Sequence, residues 1–568
     1  MAQVNVFRFL ILTLTLWISH NKGDTRVADH GPSYDVNHTT LGCPDTLPCL
    51  CHISYENGDP EKVINCTARN LQELPSFMAL IGHPFDRLLL NGNKIRAIHK
   101  NAFKGLEVRI LELSNNSIVS ISDKGFMDIE GIEELYMDNS KLPSTPISLH
   151  FLKELRTLSM RYCDIRQLTK AAFQELTNLE VLDLTGNPLH LSLPFDAFDT
   201  LERLRVLKLA DCELTNLPRD VLAHVTNLEH LILKNNNITE LQPKLFEELP
   251  KLKELDLEGN AVVLESFKQF EILQHLKVLK LGHCHISAVN SHLVRHIPHI
   301  HTLVLKHCHI QKIVHGAFRN LFHLTKLDIS GNPKVKVTDR LFHGLEDRLK
   351  FVGIENMNLS SFPTSAFRKL FLLKKVKATR NVIRSLPKGI FRGLRARHTE
   401  VHLEKNEISE IEEGVFSGIR PPMKLYLQHN NISSLAFLAK DPCDFYESEL
   451  SLEENPVRCD CEAAAILQMK AFTIRGKCQT GDAIFRDLSL APPFKKILEP
   501  GVDYFVTAAG DHCLELDRNR THERYSCACE EWLPLNGTKT CSGEEGLEPA
   551  QRLMYLWLIV ATFLLTII

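Results

Sequence analysis

The 568-residue sequence has no strong excess of either charge. It contains 66 Lys and Arg against 69 Asp and Glu, which gives a formal net charge of −3. A chain that binds nucleic acid over its whole surface carries a clear basic excess, so the composition argues against that class of protein. With 44% hydrophobic and 24% charged residues the chain also lacks the composition of a disordered protein, and a large folded core is expected.

The sequence also lacks the short motifs of the common catalytic sites. It contains no G-x-S-x-G, no H-E-x-x-H, no phosphate-binding P-loop and no G-x-G-x-x-G. We therefore predict a protein that is not an enzyme and that uses no cofactor and no metal.

Long apolar runs are scarce and lie at the two ends of the chain. The run FLILTLTLWI at residues 9–18 follows a single early cation and predicts a secretory signal peptide, assigned to residues 1–22. The run at residues 553–568 is shorter than the roughly 20 residues of a membrane-spanning helix. With the small and polar residues before it, this run predicts a glycolipid-anchor signal over residues 543–568, with Ser542 as the lipid attachment residue. A short transmembrane segment is the alternative.

Sites for N-linked glycosylation agree with export and with an oxidising compartment. Eight N-x-S/T sequons begin at Asn37, Asn65, Asn115, Asn237, Asn358, Asn431, Asn519 and Asn536. We therefore expect a glycoprotein on the extracellular face of the cell membrane, held there by its glycolipid anchor.

The pattern L-x-L-x-x-N-x-L repeats through most of the chain. Segments such as LELSNNSI, LDLTGNPL and LYLQHNNI recur every 23 to 25 residues and resemble the leucine-rich repeat, in which stacked units share one continuous core. The fold prediction is an α/β leucine-rich-repeat solenoid, a horseshoe of about 17 repeats over residues 69–457 with parallel strands on its concave face. The Asn position of the pattern, here called the ladder position, falls at residues 70, 93, 116, 140, 163, 187, 212, 236, 260, 284, 308, 332, 357, 381, 406, 430 and 455.

Two His-Cys-His cassettes, GHCHIS and KHCHIQ, stand 24 residues apart within this repeat. Their cysteines, Cys284 and Cys308, occupy ladder positions, as do Cys163 and Cys212. A ladder side chain turns inward to bond backbone groups left unpaired at the bend, and this direction separates each cysteine from its flanking histidines. Because the ligands of a zinc site must converge, we predict buried thiols rather than a metal site or a disulfide.

The histidines His283 and His307 precede the ladder position on adjacent coils and should lie about 5 Å apart. The simplest interpretation is that they are solvent-facing positions in a His-rich stretch. Two sharper hypotheses are a pH-responsive patch, in which paired imidazolium groups repel each other below about pH 6.5, and an adventitious metal site of neutral imidazoles.

A phenylalanine recurs about ten residues after the ladder position. This second period predicts a packing spine on the far side of each coil. Its members are Phe103, Phe126, Phe173, Phe246, Phe318, Phe342, Phe367, Phe391 and Phe416.

Cysteines cluster before and after the repeats, where an open solenoid must cover its end coils. The patterns C-x5-C-x-C-x14-C in residues 43–68 and N-P-x-x-C-x-C at the start of residues 458–513 resemble the cysteine caps of extracellular leucine-rich-repeat proteins of the Slit and Toll type, among them glycolipid-anchored adhesion molecules and receptors. The resemblance implies the disulfide pairs Cys43 with Cys51, Cys49 with Cys66, Cys459 with Cys478, and Cys461 with Cys513.

Residues 514–542 are predicted to form a disulfide-stapled stalk in which Cys529 pairs with Cys541. The stalk resembles the second half of an epidermal-growth-factor-like module, an alternative that would compete for Cys513. No partner is assigned to Cys443 or Cys527.

The middle residue of each strand is predicted to face the concave surface and is the best candidate for ligand contact. Both charge signs and aromatic residues alternate in this column without a continuous basic stripe, which favours a protein ligand over nucleic acid. The candidate contact residues on this face and at its edge are Tyr136, Asp183, Lys208, Asp256, Lys280, His283, His307, Asp328, Lys377 and Tyr426.

The predicted function is therefore that of a cell-surface recognition or adhesion glycoprotein. Its concave face would bind a protein ligand or a second copy of the chain. An innate-immune coreceptor that resembles a Toll ectodomain without a cytoplasmic domain, and a secreted matrix protein, are the alternatives. Signalling would require a separate transmembrane partner, because an anchored chain has no part in the cytosol.

Overall fold

The computed structural model describes residues 40–458, except 42, 46, 56–57, 190–192, 439–444 and 446, together with the strand residues 473–479, 485–487, 495–499, 502–506 and 512–514. The strands are β1 (Thr40–Leu41), β2 (Leu50–Ser54), β3 (Glu61–Asn65), β4 (Phe85–Leu89), β5 (Ala97–Ile98), β6 (Val108–Glu112), β7 (Ser120–Ile121), β8 (Glu134–Tyr136), β9 (Thr157–Ser159), β10 (Val181–Asp183), β11 (Val206–Lys208), β12 (His230–Ile232), β13 (Glu254–Asp256), β14 (Val278–Lys280), β15 (Ala288–Val289), β16 (Thr302–Val304), β17 (Lys312–Ile313), β18 (Lys326–Asp328), β19 (Phe351–Gly353), β20 (Lys375–Lys377), β21 (Ser385–Leu386), β22 (Thr399–His402), β23 (Glu410–Ile411), β24 (Met423–Tyr426), β25 (Glu449–Ser451), β26 (Thr473–Arg475), β27 (Lys477–Gln479), β28 (Phe485–Asp487), β29 (Lys495–Glu499), β30 (Val502–Val506) and β31 (His512–Leu514).

One sheet of 20 strands forms the concave face of the molecule. It opens with the antiparallel strands β1 and β2, and from β3 to β26 the neighbouring strands run parallel, about one strand per coil. Two-residue strands pair on a second side of the coils, namely β5 with β7, β15 with β17 and β21 with β23. After β26 come the antiparallel pair β27–β28 and the three-stranded sheet β29–β30–β31. The predicted solenoid with parallel strands on its concave face is confirmed.

The core follows from the stacking of leucines in register. Leu182 of β10 pairs with Leu207 of β11, which pairs with Leu231 of β12, and all three side chains are fully buried. A three-residue strand cannot bury its own leucines, so each coil depends on its two neighbours for a dry environment.

The helices of the described residues have three to five residues each and lie on the returning side of the coils. The α-helical turns are α1 (Lys170–Phe173), α2 (Ser291–Val294) and α3 (Thr364–Phe367), and the 3-10 turns are Met78–Leu80, Ile147–Phe151, Lys268–Phe270 and Ala436–Leu438. A repeat of 23 to 25 residues leaves too few residues for a longer helix once the strand and the two bends are built. The helical part of the predicted α/β class is therefore small.

The recurring phenylalanines form the predicted spine. All nine are buried, none with more than 4% of its surface exposed. Three pairs of these rings stack, with centroid distances of 5.9 Å for Phe103–Phe126, 5.9 Å for Phe342–Phe367 and 6.3 Å for Phe391–Phe416.

Each ladder asparagine bonds its own coil to the preceding one. The amide nitrogen of Asn187 donates to the carbonyl oxygens of Leu184 and Met160, at 2.7 and 2.8 Å, and its side-chain oxygen accepts from the backbone N–H groups of Cys163 and Ile165, both at 3.0 Å. One side chain thus satisfies four backbone groups in a site that water does not reach.

The ladder cysteines keep half of this bonding. The thiol of Cys308 donates to the carbonyl oxygen of Leu281 at 3.0 Å, whereas the acceptor for Ile286 N–H is the backbone carbonyl of Cys308 itself, at 3.0 Å. In the same way, the backbone carbonyl of Cys163 accepts the N–H of Leu142. All four ladder cysteines are free and buried, as predicted, and burial raises the pKa of the Cys284 thiol to about 12.

The first predicted ladder residue is wrong. Asn70 is exposed and has a left-handed backbone, with φ of 59°. The bond equivalent to the others joins Asn93 Oδ1 to the N–H of Leu71, which places the ladder position of that coil at Arg69. The solenoid therefore has about 16 turns, fewer than the 17 predicted, because the strand β3 before Arg69 belongs to the N-terminal cap.

The N-terminal cap contains both disulfides that the resemblance implied. Cys43 is bonded to Cys51 and Cys49 to Cys66, and they tie β2 to the start of the sheet. The side chains of Cys443, Cys459, Cys461, Cys478, Cys513, Cys527, Cys529 and Cys541 lie outside the described part of the structure, so their pairings stay predictions. The signal peptide, the stalk, the anchor signal and Ser542 lie outside it too.

Membrane-spanning structure was sought only in the described residues. None of the helices found there is both long enough and apolar enough to cross a bilayer.

Candidate functional site

Eight of the ten candidate contact residues share one column along the concave face, whereas His283 and His307 lie beside it, one residue before the ladder position. Parallel pairing places Asp183 beside Lys208, Asp256 beside Lys280, and His402 beside Tyr426. From β6 to β25 the column runs Glu112, Tyr136, Ser159, Asp183, Lys208, Ile232, Asp256, Lys280, Val304, Asp328, Gly353, Lys377, His402, Tyr426 and Ser451.

The three aspartates of the column are engaged within the fold. Asp183, Asp256 and Asp328 are 7%, 4% and 2% exposed. One carboxylate oxygen of each accepts the backbone N–H two residues further on, at 3.0 to 3.1 Å. The other oxygen binds a lysine of the same or an adjoining coil, for example Lys208 on Asp183 at 3.1 Å. These aspartates brace the ends of their strands, which limits what they can offer to a ligand.

The N-terminal part of the concave face is acidic. Burial raises the pKa of the Glu112 carboxyl to about 7, and the neighbouring carboxylates of Asp138 and Glu134 add to this shift against the opposing charge of Arg87. Burial also raises the pKa of Asp138. The hydroxyl of Tyr136 donates to Glu134 at 2.7 Å within this group.

Lysines cluster in the middle of the concave face, where some of them are paired with carboxylates. Lys280 bonds Glu254 at 2.7 Å and Asp256 at 3.0 Å, and Lys306 bonds Asp328 at 3.2 Å. Burial lowers the pKa of Lys326; Asp328 opposes this shift, and the charges of Lys280, Lys306 and Lys377 reinforce it. Lys306 and Lys326 were absent from the predicted contact set because they flank the central column, although the repeat register alone would have placed them beside it.

An aromatic pair occupies the C-terminal part of the column. The rings of His402 and Tyr426 stack with centroids 4.3 Å apart, and His402 Nδ1 is hydrogen-bonded to Glu404 at 2.8 Å. Stacked rings present a rigid amphipathic surface, the kind that anchors protein interfaces.

The two cassette histidines occupy a backbone position that is left-handed along the solenoid. The residue before the ladder position has a positive φ in each coil from Gly92 to Glu454, and φ is 70° at His283 and 52° at His307. The other residues found there, such as Asn139, include the types that tolerate this conformation best. Gly331 fills the same position one coil after His307, and a Cβ atom there would lie 2.1 Å from the His307 ring.

Histidines stack in pairs across these coils. The rings of His283 and His307 are 4.9 Å apart, close to the predicted 5 Å, and those of His285 and His309 are 5.0 Å apart. In the described part of the chain, no group of three or more His, Cys, Asp or Glu side chains is arranged to hold a metal ion.

The His283–His307 pair is expected to make stability depend on pH. Burial lowers the pKa of His307, and the charges of His283 and Lys306 lower it further, against Asp328 and Glu258. As pH falls below about 6.5 the unfolded chain binds this proton more readily than the folded chain, so folding stability is lost as pH falls through the folded pKa.

The double variant His283→Asn/His307→Asn removes both imidazole rings and keeps residues suited to a left-handed backbone. We expect the wild type to lose more thermal stability than this variant between pH 7.4 and pH 5.5, with and without a chelator. Equal losses in the two proteins would contradict the pH hypothesis, and a wild-type loss that the chelator changes would indicate a bound metal.

Four of the described sequon asparagines are exposed, namely Asn115, Asn237, Asn358 and Asn431. Asn65 is half-buried in β3, where its side-chain oxygen accepts the N–H of Thr67. Asn37, Asn519 and Asn536 lie outside the described residues.

Comparison with known proteins agrees with this architecture. Leucine-rich-repeat family models match residues 86–142, 178–201 and 202–262, and a BspA-type leucine-rich-repeat region of six copies matches residues 295–424. A solved leucine-rich-repeat protein of Leptospira interrogans is 20% identical, covers 72% of this chain and 94% of its own, and has a TM-score of 0.51, which supports the fold.

Curated relatives are proteins with the same repeat. Osteomodulin of Rattus norvegicus is 28% identical over 37% of this chain and 47% of its own length, and keratocan of Gallus gallus is 26% identical over 38% and 58%. Toll-like receptor 4 of Bos taurus is 34% identical over 26% of this chain and 18% of its own length. The chain thus spans about half the length of the first two relatives. The repeat, the disulfide-bonded N-terminal cap and these relatives together show that the chain belongs to the extracellular leucine-rich-repeat family.

Proposed function

We propose that the protein is a non-catalytic recognition protein of the cell surface, which binds a protein ligand through the concave face. The observation that carries this proposal is the change of charge along that face, from the acidic group around Glu112 and Asp138 to the basic group around Lys326 and Lys377. A ligand of complementary charge would bind in a single orientation, and the His402–Tyr426 stack would add an apolar anchor.

A second copy of the chain also satisfies this pattern of charge. Two concave faces placed antiparallel would bring the acidic group of each against the basic group of the other, which is the self-complementary geometry of a two-fold dimer. Homophilic adhesion is therefore the form of the proposal that the charge pattern itself favours. An innate-immune coreceptor would use the same face for another ligand.

Attachment to the membrane forms a separate part of the proposal. The sequence supports a glycolipid anchor at Ser542, and an anchored protein would signal through a separate transmembrane partner. Release of the protein from intact cells by a phosphatidylinositol-specific phospholipase is the expected result, and retention after treatment would favour a transmembrane segment.

The concave face can be tested by charge reversal. Cells that express the protein are expected to aggregate with one another, or the protein is expected to bind members of an array of purified secreted and cell-surface proteins. Lys377→Glu combined with Tyr426→Glu should weaken that binding at least about tenfold, which corresponds to about 1.4 kcal/mol.

The matched control is Lys388→Glu. Lys388 is an exposed lysine in the same coil as Lys377 but outside the concave column. This substitution should leave binding unchanged. If neither assay shows an interaction that the concave variant weakens and the control spares, the proposal is wrong.

A further inference from the structure

A long segment of the chain contains no acidic residue. Residues 356–399 include 11 Lys and Arg and no Asp or Glu, in a protein whose overall charge is nearly balanced. The solenoid winds this segment around almost two coils, so its cations emerge on several sides of the molecule. The carboxylates near each cation determine how much positive charge remains on each side.

On the concave face and on the side where the chain leaves it, some of the cations contact carboxylates of the next coil, whereas Lys377 of the concave column forms no ion pair within the described residues. Lys375 bonds Glu400 at 2.7 Å, Arg384 bonds Glu407 at 2.9 Å, and the backbone N–H of Lys388 donates to Glu412 at 3.0 Å. The two ion pairs offset part of the positive charge on these sides.

A further set of cations lies on the opposite side, where the chain returns to the sheet. This surface, here called the basic flank, consists of Arg348, Lys350, Lys374, Arg395 and Arg397, which are exposed or half-buried. Within the part of the chain that the structure describes, none of the five has a carboxylate within 4.0 Å. Asp347 is the exposed acidic residue among them.

The same edge of the solenoid neutralises itself in earlier coils. One residue per coil bonds the backbone of the equivalent residue in the coil before it, and in the order Arg156, Glu180, Arg205, Glu229, Lys253 the charges alternate. They form ion pairs of 2.9 Å for Arg156–Glu180, 3.0 Å for Arg205–Glu229 and 2.7 Å for Lys253–Glu229.

The alternation stops after Lys253. The equivalent positions that follow are Lys277, His301, Thr325, Lys350 and Lys374, and the backbone N–H of Lys374 donates to the carbonyl of Lys350 at 2.9 Å. Two lysines therefore stand side by side on neighbouring rungs, an arrangement that repels and lowers stability unless something outside the chain supplies negative charge.

Two guanidinium groups of the flank are held in place by aromatic rings. Arg348 lies over Phe322 at 5.6 Å and Arg395 lies over Phe371 at 5.5 Å, although 57% of Phe322 and 43% of Phe371 are exposed. Stacking orders a guanidinium group, so less entropy is lost when its remaining N–H groups bind an anion. Arg348 also donates one N–H to the carbonyl of Gly344 at 3.0 Å, which orders it further.

We propose that the basic flank is a binding site for a linear sulfated polysaccharide of the glycosaminoglycan class. Arginine pairs bidentately with tetrahedral oxyanions, and the cations form a strip along successive rungs rather than converging on one pocket, which suits a chain of repeated anionic groups. Such polymers lie outside the cell, where the disulfide-bonded cap and the relatives place this family. Nucleic acid fits less well, because the exposed rings that could stack on bases are already covered by arginines.

The test uses the full-length protein in mild detergent and immobilised heparin as the probe. Binding is expected in 0.15 M salt and should weaken as salt rises, as for other polyelectrolytes. Arg395→Glu combined with Arg397→Glu should lower the affinity at least tenfold. Replacing Lys374, Arg395 and Arg397 with glutamine should reduce the slope of log affinity against log salt by about three.

The matched control is Arg384→Glu combined with Lys388→Glu. It makes the same change of net charge in the same coil, but on the side opposite the basic flank. It should keep most of the heparin affinity, and thermal unfolding of each variant shows whether it is folded. A second measurement avoids variants altogether: bound heparin should protect Lys350 and Lys374 of the wild type from acetylation more than Lys388.

Four outcomes would overturn the proposal. They are no binding to heparin in 0.15 M salt, equal binding to desulfated heparin, a basic-flank variant that is folded and binds as the wild type does, and tighter binding to poly(U) RNA or to phosphatidylserine vesicles than to heparin. The concave-face proposal is tested with different residues and probes, so either can fail alone.

Discussion

Replacing Asn187 with alanine is expected to lower the free energy of unfolding by at least about 3 kcal/mol. The variant leaves the carbonyls of Leu184 and Met160 and the N–H groups of Cys163 and Ile165 without their partner, in a site where Asn187 itself is fully buried. A buried polar group without a partner costs about 1–3 kcal/mol, and relaxation of the coil recovers part of the sum.

Asn187→Cys is the informative companion, because cysteine occupies the ladder position in four other coils and keeps a donor for the preceding coil. It should cost clearly less than alanine. Asn178→Ala removes two exposed side-chain bonds, one donated to the carbonyl of Lys153 and one accepted from Arg203, and should change stability by no more than about 0.5 kcal/mol because water can replace both. Urea unfolding measures the free energies, and hydrogen exchange at Cys163 and Ile165 shows where the coils separate. A loss below 1 kcal/mol for Asn187→Ala would refute the structural role assigned to the ladder.

Phe367→Ala is expected to cost about 3–5 kcal/mol, the range for removing a buried phenylalanine. The ring is fully buried and packs between Phe342 at 5.9 Å and Phe362 at 5.3 Å, so the cavity opens in the middle of the spine. Because every coil depends on its neighbours, local opening around the cavity should precede global unfolding.

The control for this variant is Phe371→Ala, the same substitution four residues further on. Phe371 is 43% exposed and contacts Arg395, so its loss should have a much smaller effect on the unfolding midpoint. Equal effects for the two phenylalanines would contradict the assignment of the spine.

The repeat made most of the fold predictable. A period of 23 to 25 residues fixes which residues share a column, so the strand register, the inward leucines, the spine and the buried ladder thiols all follow from alignment alone. Asn70 failed because the pattern was extended one unit into the cap, where the hairpin of β2 and β3 replaces an ordinary coil.

The candidate site was less predictable, because a column lists which residues are neighbours but not how they are bonded. The position of Asp328 follows from the period, but its burial and its bonds to Ser330 and Lys306 depend on the path of the neighbouring coils. The basic flank lies outside the strand column. Its signal, the absence of acid in residues 356–399, becomes informative only when the position of each cation around the coil is known.

The four buried thiols have a consequence for biosynthesis. The chain carries 16 cysteines, and Cys163, Cys212, Cys284 and Cys308 stay reduced while the cap cysteines are oxidised. A nascent chain in an oxidising compartment exposes all of them to thiol exchange, and a folded coil protects its cysteine both by enclosure and by the high pKa of the buried thiol. Coil formation must therefore be faster than disulfide exchange around these residues. The order of folding events then determines whether the chain forms the correct disulfides.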